Sequence, residues 1–205
     1  MSRSAAQCYY VVLCEDLQAW TFVYAALIRS GASGRRISPR RYSDSRFHAG
    51  GGSGPPPPDG YRVYACGSQH VRENFPPELR LARSLRARNF ALVVHIDVDN
   101  TTASGRSVAN RVRELAAACE KASVPPRTDD DPVALLVCRR NIETWIHALD
   151  GELVNEHDEY VKLTGHESEA KPAAKKFADH ARDRTHPDPS VPSLLTGLRE
   201  FQGVI

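Results

Sequence analysis

The stretch Phe90-Ala-Leu-Val-Val-His-Ile-Asp-Val-Asp-Asn100 decides how the rest of this chain is read. Six of the seven residues from Phe90 to Ile96 are apolar, which suits a parallel strand covered on both faces rather than a half-exposed one. The run ends in Asp97-Val-Asp99. In extended backbone, alternation sets both carboxylates on one side of the sheet, where two anions repel unless a cation or a proton lies between them. Open α/β sheets bind ligands at the carboxyl ends of their strands, so the pattern points to a Mg²⁺ site at the mouth of a sheet.

Outward from this strand, the chain repeats strand and helix. Tyr9-Tyr-Val-Val-Leu-Cys14 is β-prone, and after Glu15-Asp16 the residues Leu17, Trp20, Tyr24, Leu27 and Ile28 recur at helical spacing. Two readings of the acids stay open: Glu15 is a metal ligand or general base at the first strand's end, or both acids serve the positive end of the helix dipole. Tyr61-Arg-Val-Tyr-Ala-Cys66 alternates as a second strand, followed by a helix over 78–88 with Leu81 and Leu85 inward. Val108, Val112, Leu115 and Cys119 predict a helix ending near Lys121, Val133-Ala-Leu-Leu-Val-Cys138 a fourth buried strand, and Ile142, Trp145, Ile146 and Leu149 a short helix stopped by Gly151. The expected fold is α/β and Rossmann-like, a central, mostly parallel four-stranded sheet with helices on both faces. Residues 1–150 form the expected catalytic domain. Residues 151–205 form a helical C-terminal extension, with helices near 170–182 and 194–201, read as packing or partner surface.

The 205 residues are 41% hydrophobic and 25% charged, the composition of an ordinary globular protein. No apolar run reaches membrane-spanning length and the N-terminus lacks a signal-peptide core, so a cytoplasmic protein without membrane contact is expected. Five cysteines without a C-x-x-C read as reduced, buried thiols. Net charge is only +2, but its distribution is uneven. Arg29, Arg35, Arg36, Arg40, Arg41 and Arg46 face the single acid Asp44, whereas seven acids face one lysine between Asp150 and Glu169. Residues 32–60, Arg-rich and then Gly/Pro-rich, read as a flexible surface insertion. Within it Arg35, Arg36, Arg40 and Arg41 are candidate nucleic-acid phosphate contacts, against the alternative of a solvated loop.

Glu15 after a first strand and Asp97-x-Asp99 after a third resemble the Toprim domain, the catalytic fold of topoisomerases, bacterial primases, the small ribosomal-RNA maturase and the overcoming-lysogenization-defect nucleases. The resemblance covers roughly residues 9–150. Arg139-Arg-Asn-Ile-Glu143-Thr-Trp145 looks like the post-strand helix of the defence-associated branch, where an added glutamate helps to hold a second metal. The resemblance implies a Mg²⁺-dependent endonuclease, with Mn²⁺ as a substitute ion. Glu15, Asp97 and Asp99 are then catalytic and metal-binding, and Glu143 is a further metal ligand. It implies a nucleic-acid substrate, DNA ahead of RNA, and a partner ATPase in an antiviral or toxin-like setting. A homo-oligomer stays open.

Asp97-Val-Asp-Asn-Thr101 also matches the D-x-D-x-T of haloacid-dehalogenase-like phosphatases, with Asp97 as nucleophile. That family puts this strand first, whereas here two strand–helix units precede it. A third reading is a non-catalytic Toprim-like scaffold that binds a partner. His95 shares strand parity with Asp97, and His147 lies one helical turn from Glu143. Each is either near the metal or an ordinary core or helix-face residue.

Overall fold

The computed structural model describes residues 8–39, 67–98, 107–158, 160, 166–187 and 190–205, excluding the side chains of Pro39 and 166–168. The expected strand over 61–66, Asp99, Arg40 and Arg41 lie outside the described residues. Four strands, β1 (Tyr9–Leu13), β2 (Ile37–Pro39), β3 (Phe90–Asp97) and β4 (Val133–Cys138), form one sheet in the order β2-β1-β3-β4, with every pairing parallel. Among the described residues six α-helices accompany them: α1 (Leu17–Arg29), α2 (Gly67–Ser84), α3 (Val108–Lys121), α4 (Ile142–Asp150), α5 (His166–Asp183) and α6 (Pro192–Gln202).

The apolar runs explain the layers. All eight residues of β3 and all six of β4 are buried, as strands with helices on both faces require. On one face, Ala91 and Val93 of β3, with Ala134 and Leu136 of β4, join the core under α1, α4, α5 and α6. On the other, Leu92, Val94 and Ile96 pack under α2 and α3. The two helices beyond Gly151 are thus part of the first core: Phe177 of α5 meets Phe22 of α1 at 5.3 Å and Phe201 of α6 at 5.2 Å between ring centroids, and stacks on Trp145 of α4 at 5.8 Å. Gly197 of α6 lies against the Trp145 ring so closely that an added Cβ would collide with it.

Three local expectations are corrected. The 32–60 segment contributes a strand, since Tyr10, Val11 and Val12 of β1 pair with Ile37, Ser38 and Pro39; the buried Ile37 supplies the apolar anchor. Helix α2 begins at Gly67, eleven residues before the expected start, and runs through Pro76 and Pro77. Burial of Val71, Phe75, Leu79 and Ala82 along one stripe outweighs the lost proline N–H groups. In α3 the inward position expected for Val112 is taken by Arg111, and Val112 is exposed.

Among the described residues β4 is a sheet edge, and its outward Leu135 amide is answered by a side chain. Leu135 N–H donates to Glu200 Oε2 at 3.1 Å, and just beyond the strand Arg139 N–H donates to Ser193 Oγ at 3.3 Å. Helix α6 therefore seals an edge that would otherwise template pairing with another chain. No described helix is long and apolar enough to cross a membrane.

Candidate metal centre

In the order β2-β1-β3-β4, the chain leaves β1 toward one edge and β3 toward the other, so the carboxyl ends of β1 and β3 flank the topological switch point where open α/β sheets hold ligands. Glu15 follows β1 and Asp97 ends β3. They meet there: the Asp97 N–H donates to Glu15 Oε1 at 3.2 Å, and both side chains are buried. The ambiguity of Glu15-Asp16 resolves into two separate jobs. Asp16 is the N-cap of α1, its Oδ1 accepting from Ala19 N at 2.8 Å, while Glu15 turns to the neighbouring strand end.

The register of β3 and β4 sets Asp97 beside Cys138. His95, Asp97 and Cys138 share parity with Ala91, Val93, Ala134 and Leu136, so their side chains lie on the α1/α4 face. His95 Nε2 is 3.2 Å from Cys138 Sγ and 3.5 Å from Asp97 Oδ1. The imidazole is fully buried, and burial pulls its pKa down to about 4 against a smaller upward pull from Asp16, so the ring is neutral at neutral pH. Its edge contact with Trp145, centroids 6.5 Å apart, ties it to the aromatic core.

Cys138 reports the electrostatics of this corner. Burial pushes its thiol well above the ordinary value, and the negative charges of Asp97, Glu143, Glu15 and Glu156 push it further in the same direction. Four carboxylates from four segments of the chain thus act on one buried thiol. Glu143 lies in the first turn of α4, where the helix dipole favours an anion. Glu156 accepts from Ser193 N–H at 2.6 Å at the start of α6 and has Arg139 Nη1 at 3.9 Å. Glu15 and Asp97 thus stand at strand ends and Glu143 at a helix start, all three buried.

Arg111 braces the same strand end from the opposite face. Its Nε donates to the Asp97 carbonyl at 2.9 Å and its Nη1 to Glu114 Oε2 at 2.7 Å, and Glu114 also accepts from Arg72 at 2.8 Å. Helices α2 and α3 therefore fix the backbone from which Asp97 projects. The apolar periodicity of α3 hid this role, because it favoured Val112 for the inward face.

Of the residues expected in the site, Glu15 reaches the Asp97 amide and Glu143 lends its charge to the same corner, but the donor atoms that lie within 4.8 Å of one another are those of His95, Asp97 and Cys138. Arg35 and Arg36 do not join them: they precede β2, with the Arg36 guanidinium 4.8 Å from the ring centroid of Tyr9, the first residue of β1, at the amino-terminal end of the sheet. His147 turns away to Glu152, Nδ1 to Oε1 2.9 Å, and to the Tyr160 ring. Cys138 and Glu156 carried no sequence signal of a site, since one ends an apolar run and the other sits in an acidic stretch. The strand parity of His95 was the one available clue to its place beside Asp97.

The chain matches no protein-family model, no curated protein and no solved structure.

Proposed function

We propose that this chain is a Mg²⁺-dependent hydrolase of nucleic-acid phosphodiesters, of the Toprim type. The observation that carries the reading is the meeting of Glu15 with Asp97 at the switch point, with Glu143 acting on the same corner. A glutamate after the first strand and an aspartate ending the third are useful together only if those strands are neighbours, and β1 and β3 are hydrogen-bonded along Tyr9–Leu13.

In this reading Asp97, Glu15 and Glu143 hold the metal, and Asp99 belongs to the set by the resemblance of the D-x-D motif. Bound Mg²⁺ supplies Lewis-acid stabilisation of the charge that develops on the phosphate oxygens. Glu15, oriented by the Asp97 amide, takes the proton from the attacking water. Arg111 fixes the Asp97 backbone, and so the carboxylate keeps its position as charge develops. Arg139, partly exposed at the carboxyl end of β4, supplies positive charge beside the acidic corner. The role of Arg35 and Arg36 in this scheme is to hold the polyanion away from the cleaved bond. DNA is the first substrate expected, and a partner ATPase in an antiviral setting belongs to the same reading.

The test is cleavage of plasmid DNA, linear DNA and RNA by the purified full chain and by its complex with any co-purifying ATPase. Cleavage requiring Mg²⁺ or Mn²⁺ and lost in both Asp97→Asn and Glu15→Gln is the expected result. Wild-type rates in both variants would overturn the assignment. Trapping of a phosphoryl adduct on Asp97 would replace it with the phosphatase reading.

A further inference from the structure

We propose that His95, Asp97 and Cys138 form a second, thiophilic metal site, specific for Zn²⁺-class ions, that shares Asp97 with the magnesium corner and so competes with it. The three side chains are buried, and one donor atom of each lies within 4.8 Å of the others. With bonds of about 2.0 Å to nitrogen, 2.3 Å to sulfur and 2.1 Å to oxygen, tetrahedral coordination sets N···S and N···O edges of about 3.5 and 3.4 Å. The observed separations are 3.2 Å from His95 Nε2 to Cys138 Sγ and 3.5 Å from His95 Nε2 to Asp97 Oδ1. These two edges match tetrahedral coordination to within about 0.3 Å, and all three donors lie within 4.8 Å of one another.

The register produces this geometry without help from loops. Asp97 and Cys138 are paired residues on adjacent parallel strands, and His95 is two residues below Asp97 on the same face. Ligands on paired strands are held more tightly than ligands on loops. The donor set is also chemically apart from the neighbouring one: an imidazole and a thiol favour Zn²⁺, Co²⁺ or Fe²⁺, whereas carboxylates alone favour Mg²⁺ and Mn²⁺.

Protonation and support set the strength. The thiol gives up its proton to solvent as the metal–sulfur bond forms, one proton per ion bound. The acidic side chains of Glu15, Glu143 and Glu156 on the surrounding segments favour an incoming dication. A ligating histidine normally donates its other ring N–H to an oxygen. Here His95 Nδ1 is buried and has no hydrogen-bond partner among the described residues. Missing that support lowers affinity by about ten- to a hundredfold relative to a braced site, so the ion exchanges and acts as an inhibitor rather than a permanent part of the fold.

The competition rests on the proposed Mg²⁺ reading, but the site itself does not, and its test needs no catalysis. The full chain carrying Cys14→Ala and Cys66→Ala is titrated with Co²⁺ and with Zn²⁺ against a chromophoric chelator. The expected result is one equivalent bound, a thiolate-to-cobalt charge-transfer band, and one sulfur in the zinc X-ray absorption shell. Cys138→Ser, checked for folding by circular dichroism, loses the band and at least tenfold in Zn²⁺ affinity. A metal shell with no sulfur in the parent chain would overturn the site, whether or not the serine variant folds. So would unchanged affinity in folded Cys138→Ser. Given a bound ion, Mg²⁺-dependent cleavage that persists at full zinc occupancy would overturn the competition. Absence of cleavage under all conditions would count against the phosphodiesterase reading and leave the zinc site standing.

Discussion

The two ends of the sheet treat their acids in opposite ways. At the amino-terminal end of β4, Asp131 accepts both Arg83 Nε at 2.8 Å and Arg83 Nη2 at 2.7 Å, and Glu200 accepts Arg127 through both of its oxygens at 3.1 and 2.7 Å. The Arg83 guanidinium holds the Asp131 carboxyl below its ordinary range, so this charge is satisfied by the fold itself. At the carboxyl-terminal end, burial raises the Cys138 thiol, and the negative charges of Asp97, Glu143, Glu15 and Glu156 raise it further. Arginine–carboxylate forks hold structure together. On the function proposed above, a bound cation would offset the like charges of the acids at the other end.

The sharpest way to break that contrast is at Asp97. Asp97→Asn is expected to lower metal-dependent cleavage by about a hundredfold or more, the loss of several kcal/mol of charge stabilisation. The same variant is expected to melt at a higher temperature than the wild type in chelator, because one buried negative charge beside Cys138 has gone. A lower melting temperature would mean that Asp97 braces the fold as Asp131 does.

Arg83→Ala probes the other end. It strands the nearly buried Asp131 carboxylate and is expected to cost about 2–3 kcal/mol by urea denaturation. The depressed pKa of Asp131 contributes stability at pH values above its unfolded value, and this is lost as pH falls through the lower folded value. The acid limb of the stability profile should therefore be shallower in Arg83→Ala. An unchanged acid limb would deny the fork its structural role.

Adding Mg²⁺ at ten times its Kd is expected to stabilise the wild type by about 1.4 kcal/mol and Asp97→Asn by none, read as a shift in thermal melting. Equal shifts in the two proteins would place the ion elsewhere. The smallest effect belongs to the arginines at the amino-terminal end. Arg35→Ala with Arg36→Ala should flatten the salt dependence of DNA binding by about one to two units of slope while leaving the cleavage rate at saturating DNA unchanged. A fall in that saturated rate would place these side chains at the cleaved bond.

Much of this was legible in the residues. The continuous apolar runs at Phe90–Asp97 and Val133–Cys138 specify strands covered on both faces, since a strand with no polar alternation has no face for water. Strand-end acids are visible because the run stops where the charge begins. The start of helix α2 is not legible in the residues, because proline propensity is local, whereas the burial of Val71 and Phe75 is not.

By itself, then, the sequence determined the parallel α/β class and the delivery of Glu15 and Asp97 to strand ends, because periodicity and strand termini are local properties of the chain. Only the tertiary structure decided which acids meet. The order β2-β1-β3-β4 makes β1 and β3 neighbours, the β3/β4 register sets Cys138 beside Asp97, and the turn of α3 aims Arg111 rather than Val112 at the Asp97 carbonyl. Those contacts join residues 14 to 82 positions apart, and no local pattern encodes them, because strand order and register are set by the packing of the whole core.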